Sequence, residues 1–167
     1  MADGVATIDW LPAIVELGEH SGNWDKYIDA IYAHYCKDFV ASKPLFRGLP
    51  VVSRFAPPLN GKGITFWHLV SEGKTEATRI PDLRRCERVC WVRPMIENSA
   101  SLKVWEVKRK DKLHVCIALS DWSYVVVLAP RNKGYFVLLT AYTVEYDHRK
   151  RRLEAECEEW CKTNTAQ

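Results

Sequence analysis

The sequence predicts an α+β fold: N-terminal helices packed on an antiparallel sheet of about four to five strands, with a C-terminal helix. Three observations predict it. Leu102 to Tyr142 alternates strand-like runs with very short turns. Residues 24–39 carry an aromatic stripe at helical spacing, and residues after Tyr146 carry an apolar seam among charges. A chain of 167 residues is one domain by length and large enough for a real core. We divide it into a helical N-terminal part, 1–42, and a core at 46–160.

Taken in order, residues 1–23 say little, although Asp9-Trp10-Leu11-Pro12 predicts the start of a short helix. Asn23 is a fair N-cap. Trp24, Tyr27, Ile28, Ile31, Tyr32, Tyr35 and Phe39 then recur at three- and four-residue steps, which predicts an amphipathic helix to about Ala41. Its aromatic stripe reads as core. Residues 43–63 are rich in proline and glycine, and Leu45-Phe46, Val51-Val52 and Phe55 predict an irregular edge strand.

Ile64 to Val70 reads as a strand, with Ile64, Phe66, His68 and Val70 on one face. Pro81 suits the first position of a helix running from about Asp82 to Arg93, which Pro94 interrupts. Leu102 to Lys108, Leu113 to Leu119, Tyr124 to Leu128 and Tyr135 to Tyr142 then predict an antiparallel meander. Strict alternation puts Phe136, Leu138, Thr140 and Tyr142 on one face of its last strand. A final helix follows, with Leu153, Cys157, Trp160 and Cys161 as its seam. Its basic start, His148 to Arg152, precedes Glu154, Glu156, Glu158 and Glu159. The helix dipole favours the reverse order by a few tenths of a kcal/mol. Either a polyanionic partner or pairing to other elements overrides that preference.

Composition bounds the function. No apolar run approaches the ~18 residues of a membrane span, so no membrane partner is expected. Met1-Ala2-Asp3-Gly4 lacks the basic and apolar parts of a signal peptide. A net charge of +3 does not by itself argue for nucleic acid, but Arg84-Arg85, Lys108-Arg109-Lys110 and His148 to Arg152 are local basic clusters. Cys86 and Cys90 stand four apart, as do Cys157 and Cys161. Zinc is one reading; we take the other, reduced thiols packed as small apolar groups in a cytoplasmic protein. No P-loop, dinucleotide, zinc-protease or hydrolase motif is present, and no cofactor is called for.

The residue types do suit RNA cleavage without a metal. The 2′-OH attacks the adjacent phosphate, which requires a proton acceptor, a proton donor and cations for the developing charge. His68, Arg79, Arg84, Arg85, Glu87 and Arg88 cluster in sequence, and Thr140 with Tyr142 offers two hydroxyls at a strand exit. His114 alternates against Val115 and Ile117 and reads as structural.

An ordered series of segments carries a resemblance. These are Phe66 to Leu69, Arg79 to Arg88, Trp91 to Glu97, Tyr124 to Leu128, Tyr135 to Tyr142 and His148 to Leu153. Together, over roughly residues 46–160, they resemble phage- and prophage-associated proteins of the Barnase–EndoU–colicin–RelE-like nuclease superfamily. The resemblance implies helices followed by a four-stranded antiparallel sheet, and a metal-independent ribonuclease of the toxin type acting on tRNA or mRNA. It also implies an antitoxin or immunity protein as partner, and a cytoplasmic setting in a bacterial host or from a phage gene. Carried over residue by residue, it falls on His68, Arg84, Arg85, Glu87, Thr140 and Tyr142 as catalytic positions. His68 would transfer protons, Arg84 and Arg85 would clamp phosphate, and Thr140 and Tyr142 would position it. Glu87 would be a second proton carrier or would orient Arg84 or Arg88. From their charge, Arg79, Arg88, Lys108, Arg149, Lys150, Arg151 and Arg152 are the substrate-binding candidates. Two other classes remain open at this point: a non-catalytic RNA- or protein-binding module, and a zinc-stabilised regulator.

Overall fold

Asn23 caps the first helix as expected: its side chain accepts from the Lys26 amide at 3.0 Å, and α1 runs over Trp24–Tyr35. A π-helical segment, Cys36–Val40, extends it, so the apolar stripe continues to Phe39. Tyr27, Ile31, Tyr35 and Phe39 are fully or almost fully buried. The computed structural model describes residues 8–165. Within them the expected helical start at Asp9 is only a turn, closed by the Leu11 amide on the Ile8 carbonyl at 3.0 Å. The first helical turn is a 3-10 turn at Leu17–His20.

The proline-rich stretch supplies two strands instead of one. β1 (Leu45–Phe46) and β2 (Leu49–Val52) form a hairpin whose turn residues, Arg47 and Gly48, both have positive φ as such a turn requires. Phe55 lies outside them and is exposed.

Ile64–Val70 is a helix, α2, and not a strand. Its residues are strand formers by type, but Phe66, Leu69 and Val70 also stand three and four apart, and the core takes that spacing. The preceding chain satisfies the first turn: the Ile64 and Thr65 amides donate to the Phe55 and Arg54 carbonyls at 3.0 and 3.2 Å. β3 (Ser71–Glu72) and β4 (Ile80–Pro81) then form a small antiparallel ribbon. Pro81 therefore belongs to a strand. Asp82 is the N-cap of α3 (Leu83–Glu87), its carboxylate accepting from the Arg84 and Arg85 amides. The single helix expected to Arg93 is broken. A 3-10 turn, Val89–Trp91, separates α3 from α4 (Val92–Glu97). Pro94 falls in the first turn of α4, where a missing N–H costs nothing.

The meander is present as β5 (Lys103–Arg109), β6 (Lys112–Ala118), β7 (Tyr124–Arg131) and β8 (Tyr135–Thr143). The sheet has six strands in the order β1-β2-β8-β7-β6-β5. It is not wholly antiparallel, because β2 runs parallel to β8 through Val51↔Phe136 and Val52↔Val137. One face packs on the helices α1, α2 and α4 through Val115, Ile117, Val126, Leu128, Phe136, Leu138 and Ala141. The other carries a smaller cluster, with Trp105, Cys116, Ala118, Val125 and Val127 beneath Leu153 and Cys157 of α5 (Asp147–Asn164).

β8 departs from strict alternation. Val127 faces Thr140 while Leu128 faces Leu138, so Leu139 is an extra residue. Opposed residues share a face, so the bulge turns Thr140 and Tyr142 to the side of Val127 and Val125. Phe136 and Leu138 stay on the helix side. The expected common face of these four residues is corrected accordingly.

Gly73 tests the packing of the β3–β4 ribbon. Its φ is 155°, and a Cβ there would lie 2.8 Å from both Arg79 Cα and the Thr78 carbonyl oxygen. Gly73→Ala should cost roughly 1–3 kcal/mol, measured by thermal or urea unfolding. An unchanged unfolding midpoint contradicts so close an approach.

Candidate functional site

β2 covers only the start of β8. Beyond Val137, β8 meets α2 and α3. Thr140 Oγ1 donates to the His68 carbonyl at 2.8 Å, which ties the end of α2 to the strand. The next anchor is Ser71, which is buried. Its carbonyl accepts from Arg79 Nη2 at 2.7 Å and from Arg85 Nη1 at 2.9 Å. Its hydroxyl accepts from Arg79 Nε at 3.1 Å and donates to the Trp67 carbonyl. One serine thus holds two guanidinium groups side by side.

A cleft of about 410 Å³ opens where this edge meets the bulged side of the sheet. From the edge come His68, Glu72, Arg79 and Arg85; from the sheet come Arg109, His114, Leu139, Thr140 and Tyr142. The Arg85 guanidinium lies 5.9 Å from the centre of the Tyr142 ring, and its Nη2 is 3.9 Å from Glu72. His68 Nε2 lies 2.6 Å from Glu76 Oε1. Arg109 Nη2 binds Glu156 of α5 at 3.0 Å.

Protonation states follow from the surroundings. Burial, assisted by the Cys116 thiol, pushes the Tyr142 hydroxyl up to about 12. It is a hydrogen-bond donor at neutral pH and no proton acceptor. Burial lowers the His114 imidazole, and the cations Arg109, Arg131 and Lys112 lower it further, so at pH 7 it is neutral and free to take a proton. Burial also lowers Arg79, which as a guanidinium stays charged.

Of the sequence-derived catalytic positions, His68, Arg85, Thr140 and Tyr142 meet in this cleft, together with the binding candidate Arg79. His68 reaches it from a helix and not from a strand. Arg84, Glu87 and Arg88 do not line it. Arg84 pairs with Glu145 in a neighbouring shallow groove that also holds Arg149. Glu87 pairs with Arg88 at 3.2 Å, and Arg88 stacks on Trp91 at 5.0 Å. Arg149 also lies over Tyr146, Arg151 is exposed and Arg152 approaches Glu156 at 3.7 Å. Lys108 points away from the cleft, since Trp105, Val107 and Arg109 alternate with it.

Arg109 and His114 are the residues that the sequence reading missed. The hairpin turn holds the signal: Lys110 and Asp111 both have positive φ, as a two-residue turn requires, and it places Val107 opposite His114. Phasing from Trp105 would have put both cleft residues on one face. Among the described residues no three His, Cys, Asp or Glu side chains gather as a metal site. Cys86 packs with the helices on one face of the sheet, while Cys157 belongs to α5 and packs on the other face. The two cysteine pairs therefore do not meet in one four-cysteine site. No described helix is long and apolar enough to cross a membrane. Comparison with known proteins returned no match to any family model, curated protein or solved structure.

His114 predicts a pH dependence. Its pKa in the folded protein lies below the ordinary 6.5, so near that pH the unfolded chain binds more protons. Stability from this group is complete above about pH 6.5 and is lost as pH falls through that value. Urea unfolding from pH 7.5 to 5.5 should show a steeper loss in the wild type than in His114→Gln. Equal slopes contradict the assignment.

Proposed function

We propose that the protein is a metal-independent endoribonuclease that cuts RNA by attack of the 2′-OH on the adjacent phosphodiester. The observation that carries this reading is the convergence of two imidazoles, three guanidinium groups and a tyrosine hydroxyl in one cleft. Neutral His114 accepts the 2′-OH proton. His68, paired with Glu76, donates a proton to the leaving 5′-oxygen. Arg79 and Arg85 hold the phosphate oxygens, with the rigidity that their shared Ser71 anchor gives. Tyr142 donates to the same charge. Thr140 is a positioning residue, since its hydroxyl proton is already given to the His68 carbonyl. Resemblance to the toxin-type superfamily points the same way and adds an antitoxin or immunity protein as partner.

A second reading, a non-catalytic RNA-binding module, is favoured by one observation. Arg109 is already held by Glu156, and Arg79 and Arg85 by Ser71. Purified protein incubated with total RNA in EDTA separates the two. Cleavage is expected, and His68→Ala or His114→Ala should lower its rate about a hundredfold or more with folding intact. Tyr142→Phe should lower it tenfold. Retention of intact RNA on a gel, with no fragments, overturns the enzyme in favour of the module.

The basic start of α5 binds substrate without cutting it. Replacing Arg149, Lys150, Arg151 and Arg152 with Gln should weaken RNA binding and flatten its dependence on salt. Binding that responds to salt as strongly as in the wild type removes this role.

A further inference from the structure

A second pocket, of about 780 Å³, lies on the other side of Arg79. Trp24, Ile28, Leu59 and Trp67 give it apolar walls, and Asp25 stands among its lining residues. Arg79 lines both cavities. Glu76 lines this pocket, while its carboxylate holds His68 in the cleft. Nothing in the proposed cleavage chemistry uses this space.

We infer that the pocket takes one unpaired nucleobase of the RNA, stacked against its indoles, with the phosphate of that nucleotide held at Arg79. The inference rests on the RNA reading above and narrows the substrate to single-stranded segments, because a base paired inside a duplex cannot enter a recess of this kind.

Three features fix the occupant. First, aromatic walls suit a base, whose π face stacks on an indole. The Trp67 ring is set in place by its Nε1 donating to the Leu59 carbonyl at 2.9 Å, and Trp24 is 38% exposed. Second, the charge is polarised. Arg79 lies at the cleft side, while Asp25 has no ion-pair partner among the described residues. A phosphate is drawn to the first and repelled by the second, so a nucleotide enters in one direction, base foremost. Third, the other charges are spoken for: Lys62 binds Asp29 at 2.8 Å and lies over the Tyr32 ring. The free carboxylate then faces the base edge and accepts from an exocyclic amino group. Adenine, guanine and cytosine carry one and uracil does not.

Titration calorimetry with nucleoside monophosphates tests this without any cleavage. Cytidine 3′- and 5′-monophosphates differ from their uridine counterparts only on one base edge, where cytosine has an amino group and an N3 acceptor and uracil a carbonyl and an N3–H. At least one cytidine phosphate should bind fivefold or more tightly than its uridine counterpart, and cytidine without phosphate should bind more weakly than either. Trp24→Ala should weaken binding tenfold or more, as loss of a stacking partner does. Asp25→Ala should close the gap between cytidine and uridine while leaving binding measurable. Both substituted residues lie at the surface, and thermal unfolding verifies their folding. Equal binding of cytidine and uridine phosphates to the wild type, or wild-type affinity in Trp24→Ala, overturns the inference. If the nucleotides bind as expected but RNA stays intact in EDTA, the pocket stands and the nuclease reading falls. If RNA is cut and the pocket variants bind and cut as the wild type does, the nuclease reading stands and the pocket falls.

Discussion

One extra residue in β8 decides what the cleft contains. Leu139 interrupts the pairing with β7 between Leu138 and Thr140. Without it, Thr140 and Tyr142 would face the helices beside Phe136 and Leu138, within an apolar core. With it, a single strand serves two faces in succession: its first half closes the main core and its second half floors an open cleft. Bulges are known to re-aim side chains beside functional sites. Here the bulge works together with the short reach of β2, which leaves that stretch of edge for α2, Arg79 and Arg85.

Preorganisation follows from the same edge. A guanidinium on a loose side chain loses considerable conformational entropy on binding. Arg79 and Arg85 have lost it already, because the Ser71 carbonyl accepts from both. The like charges are held together by a buried backbone acceptor, and the cation pair exists before any anion arrives. The two imidazoles differ in environment. Burial, helped by neighbouring cations, lowers the His114 imidazole, and His68 sits against a carboxylate.

Much of the architecture was legible because it is written in local pattern. The α1 stripe from Tyr27 to Phe39, the Asn23 cap, the four meander strands and the seam of α5 all declare themselves at spacings of two or three to four residues. What failed was decided at a distance. Ile64 to Val70 has the composition of a strand, and only its fit between α1 and β8 makes it a helix. Pro94 looked like an end to a helix and instead begins one, because the chain pauses at Val89–Trp91 first. The bulge at Leu139 shows only in the pairing register with β7. For the site, His68, Arg85, Thr140 and Tyr142 were legible as chemistry-bearing residues, although the face assigned to the last two was wrong. Arg84 and Glu87 were drawn in by sequence proximity to Arg85, and a helix sends neighbouring residues in different directions. Arg109 and His114 were passed over because a cationic residue and a histidine in adjacent strands become neighbours only once the hairpin register is fixed.

The C-terminal helix is held lightly for its eighteen residues. Its buried side chains are Leu153 and Cys157, supported by half-buried Trp160 and by the Glu156 link to Arg109. Burial of a large apolar side chain is worth roughly 1.5–3 kcal/mol, so its docking free energy is a modest fraction of what anchors α1. Regions of this kind open first in the native ensemble. Glu156 and any anion in the cleft draw on the same guanidinium. An anion that took Arg109 from Glu156 would weaken the docking of the helix, and docking would weaken that anion's binding by an equal free energy, so the end of the chain would act as a counterweight to whatever fills the middle of it.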